Sequence, residues 1–116
     1  MNIKTLSGIL SLTGALMLLP MPAAAAVDAD AAQALAKKEG CLKCHAIDKK
    51  KEGPALKEIA AKYKGKADGE EKIMHHITSG EKVKLADGTE EEHKIIKTKD
   101  KGELSNLIGW ILSLGK

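Results

Sequence analysis

Apolar residues along this chain change rhythm as it proceeds. From Leu6 to Leu19 they run almost unbroken behind a single charge, Lys4, and are followed by Pro20, Pro22 and the small residues Ala23 to Ala26. A basic start, a short apolar run and an A-x-A ending describe a secretory signal peptide cut near Ala26. The expected organisation is therefore a signal peptide over 1–26 and one domain over 27–116. The run is shorter than the ~20 residues of a membrane span, and Gly8, Ser11 and Gly14 interrupt it. No integral span is expected in the mature chain.

Beyond the leader the spacing turns helical. A first helix is expected from Ala31 to Glu39, with Ala32, Leu35 and Ala36 inward and Gly40 ending it. Gly53-Pro54 opens a second, in which Leu56, Ile59, Ala60 and Tyr63 recur at i, i+3, i+4 and i+7. A third runs from Gly69 to Thr78, with Ile73 and Ile77 on one face and Gly80 as the stop. The last runs from Lys101 to Leu114 and carries a stripe of Leu104, Leu107, Ile108, Ile111 and Leu112. Asp30, Asp68 and Asp100 each precede Gln or Glu by three residues, the pattern of a capping box. Between the third and fourth helices the rhythm becomes alternation: Val83 and Leu85 are separated by lysines, and Asp87-Gly88 signals a hairpin turn. The plan is all-α, about four short helices with one irregular or hairpin insertion.

Size and composition complicate this plan. The mature part would have 90 residues, with no Phe, one Tyr and one Trp, and so small a chain buries a marginal core by itself. A bound apolar group would fill that core. Every Lys-or-Arg position is lysine; without Lys4 there are 18 against 16 acids, a net charge of +2. This near balance, with no arginine and almost no aromatics, excludes a nucleic-acid surface.

The stretch "GCLKCH", residues 40–45, supplies the apolar group. C-x-x-C-H is the attachment signature of c-type haem. Thiols one helical turn apart, at Cys41 and Cys44, add to the two vinyl groups of the porphyrin, and His45 then lies under the iron. A zinc site needs four ligands, and no second cysteine pair exists. A redox dithiol needs a βαβ context, which is missing. One covalent haem c is expected, and export to the periplasm fits its assembly.

"AQALAKKEGCLKCHAIDKKKEGPALKEIAAKY", residues 32–63, with "LIGWILSL", residues 107–114, resembles the short bacterial class I cytochromes c of the c-551/c-552 kind. The resemblance covers nearly all of the mature chain. It implies the class I cytochrome c fold, with about four short helices around one covalent haem, and a monomeric carrier rather than an enzyme. It implies that Pro54 offers its carbonyl to His45, although Pro54 reads equally well as a plain helix start. It also implies that the first and last helices cross at Ala32, Ala36, Leu107 and Ile111.

On the sixth iron position the chain departs from the family, which places a methionine before the last helix. Met1, Met17 and Met21 belong to the leader, and Met74 falls on the third helix. His93 stands 17 residues ahead of Trp110, the separation at which the family has its methionine. His93 is the expected distal ligand, with Met74, His75 and His76 as rivals. Two imidazoles favour ferric iron where a thioether favours ferrous, so a low-potential electron carrier is expected. Glu90, Glu91 and Glu92 would add to that preference if close. The alternative is a haem-based ligand-binding or sensing protein with a displaceable His93. Lys43, Lys49, Lys50 and Lys51 around the motif, with Lys62, Lys64 and Lys66, read either as solvated charges or as a basic ring for an acidic redox partner.

Overall fold

In the computed structural model, residues 14, 15, 17–20 and 26–115 are described. Most of the expected signal peptide lies outside them. No helix among the described residues is long and apolar enough to cross a membrane.

Four α-helices and one small sheet follow in order: α1 (Ala29–Lys38), α2 (Leu56–Tyr63), α3 (Gly69–Ser79), the antiparallel hairpin β1 (Lys82–Lys84) with β2 (Glu90–Glu92), and α4 (Lys101–Ser113). A single 3-10 turn over Cys41–Lys43 follows α1. Helix α1 begins earlier than its pattern suggests. Asp28, extended at φ −89° and ψ 98°, accepts a hydrogen bond from Ala31 N at 3.0 Å. Asp30 instead lies inside the first turn, where its charge meets the positive end of the helix dipole. Helix α2 starts at Leu56 rather than at Pro54, because Ala55 is the capping residue and its N–H donates to Glu58. Asp68 does not cap α3 with its side chain. It pairs with Lys72 at 2.8 Å, which pulls the carboxyl down and the ammonium up from their ordinary values. Both groups are exposed, so little stability comes from the pair. Asp100 caps α4 as its pattern requires, accepting from Glu103 N at 3.0 Å.

Helix α4 is the hub, since α1, α2 and α3 all pack on it. Helix α1 packs on α4, and Ala32, Ala36, Leu107 and Ile111 are all buried. Leu107 is almost completely buried, worth about 1.5–3 kcal/mol against exposure. Trp110 is buried as well, while Leu112, expected inside, is half-buried. Asn106 clamps the start of α1, accepting from Asp28 N and donating to Asp28 O, each at 2.8 Å. The hairpin forms as its alternation predicts: Lys82 faces Glu92, Lys84 faces Glu90, and Gly88 sits at φ +87° in the turn. One core residue has no counterpart in the helical pattern. Ile96, 2% exposed, plugs into the cluster from the segment between β2 and α4.

Candidate haem site

The walls of the site begin where α1 stops. Gly40 adopts φ +80°, a left-handed conformation open to glycine at little cost, and turns the chain into the 3-10 segment. Cys44 N and His45 N both bond to Cys41 O, at 3.3 and 3.0 Å. This coil puts the two cysteines and His45 on one cavity wall. The following loop folds back on the motif. Gly53 N donates to Cys44 O at 2.8 Å, Leu56 N to Ala46 O at 2.9 Å, and Lys51 Nζ to Leu42 O at 2.9 Å.

His45 Nδ1 lies 2.7 Å from Pro54 O. A carbonyl can only accept, so Nδ1 carries the proton and Nε2 is left with its lone pair. Gly53 makes room for this ring, since a Cβ there would stand 2.6 Å from His45 Cε1. The cysteines form no disulfide, and burial pushes the Cys41 thiol up, with Glu39 adding to the shift. A protonated, half-buried thiol is a poor redox nucleophile.

The opposite wall comes from the segment after β2. His93 N donates to Glu81 O at 2.8 Å, Ile96 N to Ile77 O at 2.9 Å, and Lys97 N to the Glu39 carboxylate at 2.9 Å. Glu39 is 6% exposed, a buried acid whose acceptor oxygen fastens the far segment to the end of α1. Between these anchors the His93 ring turns into the cavity, and its Nδ1 is buried with no hydrogen-bond partner. Burial is the main cause that pushes the His93 pKa down, and His76 and His45 add to it. The ring is therefore neutral and able to donate a lone pair. Its centroid is 6.2 Å from that of His45, with the planes at 48°.

The cavity has a volume of about 490 Å³, with apolar sides from Ile59, Ile73, Ile77, Ile96 and Trp110. His76 also lines it, but Met74 and His75 do not. Met74 packs against the core, and the His75 side chain is 67% exposed. Glu91 and Glu92 reach the cavity, whereas Glu90 does not. Among the described residues, no group of three or more His, Cys, Asp or Glu side chains could hold a bare metal ion. A metal carried by its own planar ligand needs fewer protein donors. Two thiols on one wall, imidazoles on facing walls and apolar sides suit that case. The residues fit a haem.

Fold and cavity together define a small monohaem c-type cytochrome of class I. The chain belongs to the cytochrome c family, whose model matches residues 29–115. Cytochrome c-551 of Stutzerimonas stutzeri is 36% identical over 118 residues, covering 96% of this chain and 97% of that protein. A shorter match to cytochrome c-551 of Pseudomonas aeruginosa is 46% identical over 48 residues and covers 41% of this chain and 46% of that protein, less than half its length. Among solved structures, the class 1 cytochrome MtoD from Sideroxydans lithotrophicus ES-1 is 57% identical. The match covers 77% of this chain and 98% of that one, with a TM-score of 0.74. Membership in this family brings one covalently bound haem c with its iron. The c-551 and c-552 relatives are electron carriers, not enzymes.

Glu39 and Ile96 are among the contributors to the site that the sequence pattern misses. For Ile96 a signal existed: Ile95-Ile96 is an apolar pair in a charged loop. Glu39 carries none, since its partner lies 58 residues away.

Proposed function

We propose that this chain is a periplasmic, low-potential carrier of single electrons whose haem iron is held by His45 on one face and His93 on the other. Cys41 and Cys44 attach the haem through thioethers. The separation of the two rings carries the reading. Imidazoles that bind opposite faces of one metal at about 2.0 Å through one nitrogen each have centroids about 6.4 Å apart. The observed 6.2 Å agrees with that figure.

The bound haem supplies a one-electron Fe(III)/Fe(II) couple, and the chain tunes it. Pro54 holds the His45 proton on Nδ1 and raises the basicity of Nε2, as hydrogen bonds behind a metal ligand do. A second neutral imidazole at His93 favours the ferric state relative to a thioether. Glu91 and Glu92 at the cavity rim act in the same direction. The apolar sides would keep water from a bound iron, so that gaining or losing an electron would demand little rearrangement.

The apolar leader ending at Ala26 supports export with removal of residues 1–26. Lys43 and Lys62 at the cavity rim, with exposed Lys49 and Lys50, support docking to an acidic redox protein. Lys51 and Lys64 donate to the carbonyls of Leu42 and Gly115, which fixes the position of their charges. The ligation is tested by His93→Ala. The haem should stay attached, ferric iron should turn high-spin, and carbon monoxide or azide should bind readily. A native low-spin spectrum in that variant would overturn the assignment.

A further inference from the structure

His45 and His93 are oriented by different means. His45 has Pro54 on its Nδ1; the His93 Nδ1 has no partner. A ring without a hydrogen bond behind it is free to rotate about its side-chain bonds unless packing stops it. The packing comes from His76, whose ring centroid lies 4.0 Å from that of His93 with the planes at 44°.

His76 is itself fixed. Its Nδ1 hydrogen-bonds the carboxylate of Glu81, which can only accept, so this nitrogen carries the proton. Glu81 follows Gly80, the left-handed residue that ends α3, and so stands where helix passes into hairpin. Its backbone carbonyl accepts from His93 N at 2.8 Å. One residue thus holds His93 twice: by the backbone directly, and by the ring through His76. His75 Nε2 lies 3.8 Å from the second carboxylate oxygen, too far for a hydrogen bond. Glu71, Asp68 and Lys72 line the open cleft on the outer side of the pair. The His76 side chain is 35% exposed and the Glu81 side chain 42%. Neither residue is needed to complete the core.

We propose that Glu81 and His76 are positioning residues that set the ring plane of His93 relative to His45. The role rests on His93 being the distal ligand. It predicts that removing either group lets the His93 ring turn without dislodging the haem. The same loss should make the ligand leave the iron more often, because a ring held by packing and not by a hydrogen bond has nothing else to keep its orientation.

Low-temperature electron paramagnetic resonance of the ferric holoprotein reads the ring planes. In a low-spin haem with two imidazoles, the spread of g-values depends on the angle between their planes. His76→Leu and Glu81→Ala should each shift the largest g-value and measurably speed carbon monoxide binding to the ferrous protein. Glu81→Gln should keep most of both properties, because its amide oxygen still accepts from Nδ1. His75→Ala should change neither. An unshifted g-value in both His76→Leu and Glu81→Ala would overturn the positioning role. His93→Ala, measured beside them, separates the two failures. If that variant keeps its low-spin signal, ligation by His93 falls and this role with it. If it turns high-spin while the other two leave the g-values unmoved, the positioning role alone falls.

Discussion

His45 and His93 face each other across one cavity, yet the chain holds them on different length scales. Around His45, the Pro54, Cys44–Gly53, Ala46–Leu56 and Leu42–Lys51 hydrogen bonds all join residues no more than ten apart. Around His93, the partners are Glu81, Ile77 and Glu39, the last 58 residues from Lys97, whose N–H it accepts. The proximal wall can therefore form from its own stretch of chain. The distal wall exists only once α1, α3 and α4 have assembled. Local bonds cost little loop-closure entropy, whereas distant ones must be supported by burial. The burial comes from Ile96, packed in the core three residues after His93. The difference predicts that damage should separate by side: distal changes should loosen a ligand, and proximal changes should strain the fold.

Ile96→Ala should have the largest effect. Removing a buried isoleucine to the β-carbon costs about 2–5 kcal/mol, and the cavity would open beneath the distal segment. Denaturant unfolding should show the loss, and carbon monoxide should bind the ferrous protein faster. Gly53→Ala should come next, at about 1–3 kcal/mol, because the new Cβ meets the His45 ring at 2.6 Å. Here stability should fall without faster carbon monoxide binding; faster binding would show that strain crosses the cavity and would blur the comparison.

Glu39→Ala removes the acceptor for Lys97 N. The bond is part-buried, and losing a hydrogen bond of this kind costs about 0.5–1.5 kcal/mol; again the distal side should loosen. Glu39→Gln keeps an acceptor oxygen and should restore most of the stability and the slow binding. The smallest effect is expected at the hairpin turn. The Thr89 hydroxyl and N–H donate to Asp87 at 2.6 and 2.9 Å and hold its carboxyl below the ordinary value. This contribution is complete above the unfolded pKa and is lost as pH falls through the folded one. Amide protection in β1 and β2, after correction for the intrinsic pH dependence of exchange, should therefore fall as pH drops below the ordinary carboxylate range, and Asp87→Asn should flatten that dependence.

What the sequence could reveal follows the same division. The C-x-x-C-H motif, the helical stripes and the Asp-Gly turn are local patterns, and the folded chain keeps each of them. The start of α1 is not legible in the sequence because Asp28 and Asp30 both suit a cap, and only the extended backbone at Asp28 decides between them. Pro54 was ambiguous for a similar reason: a proline before a helix reads as its start, whereas here its carbonyl faces His45. Glu39 resembled any charge at a helix end, with nothing nearby to show that a distant N–H would bury it. In the sequence His76 is a rival to His93 for the iron, and nothing there shows that the two rings pack together. Its place beside His93 depends on how the hairpin returns to α3.

The distal ligand is tested most directly by the near-infrared spectrum of the ferric protein, which needs no substitution. Iron held between two imidazoles and iron held between an imidazole and a thioether place their charge-transfer bands at distinct energies. Ligation by His45 and His93 predicts the bis-imidazole band. A band at the imidazole–thioether position would put a methionine on the iron, remove His93 from the distal side and contradict the low-potential assignment.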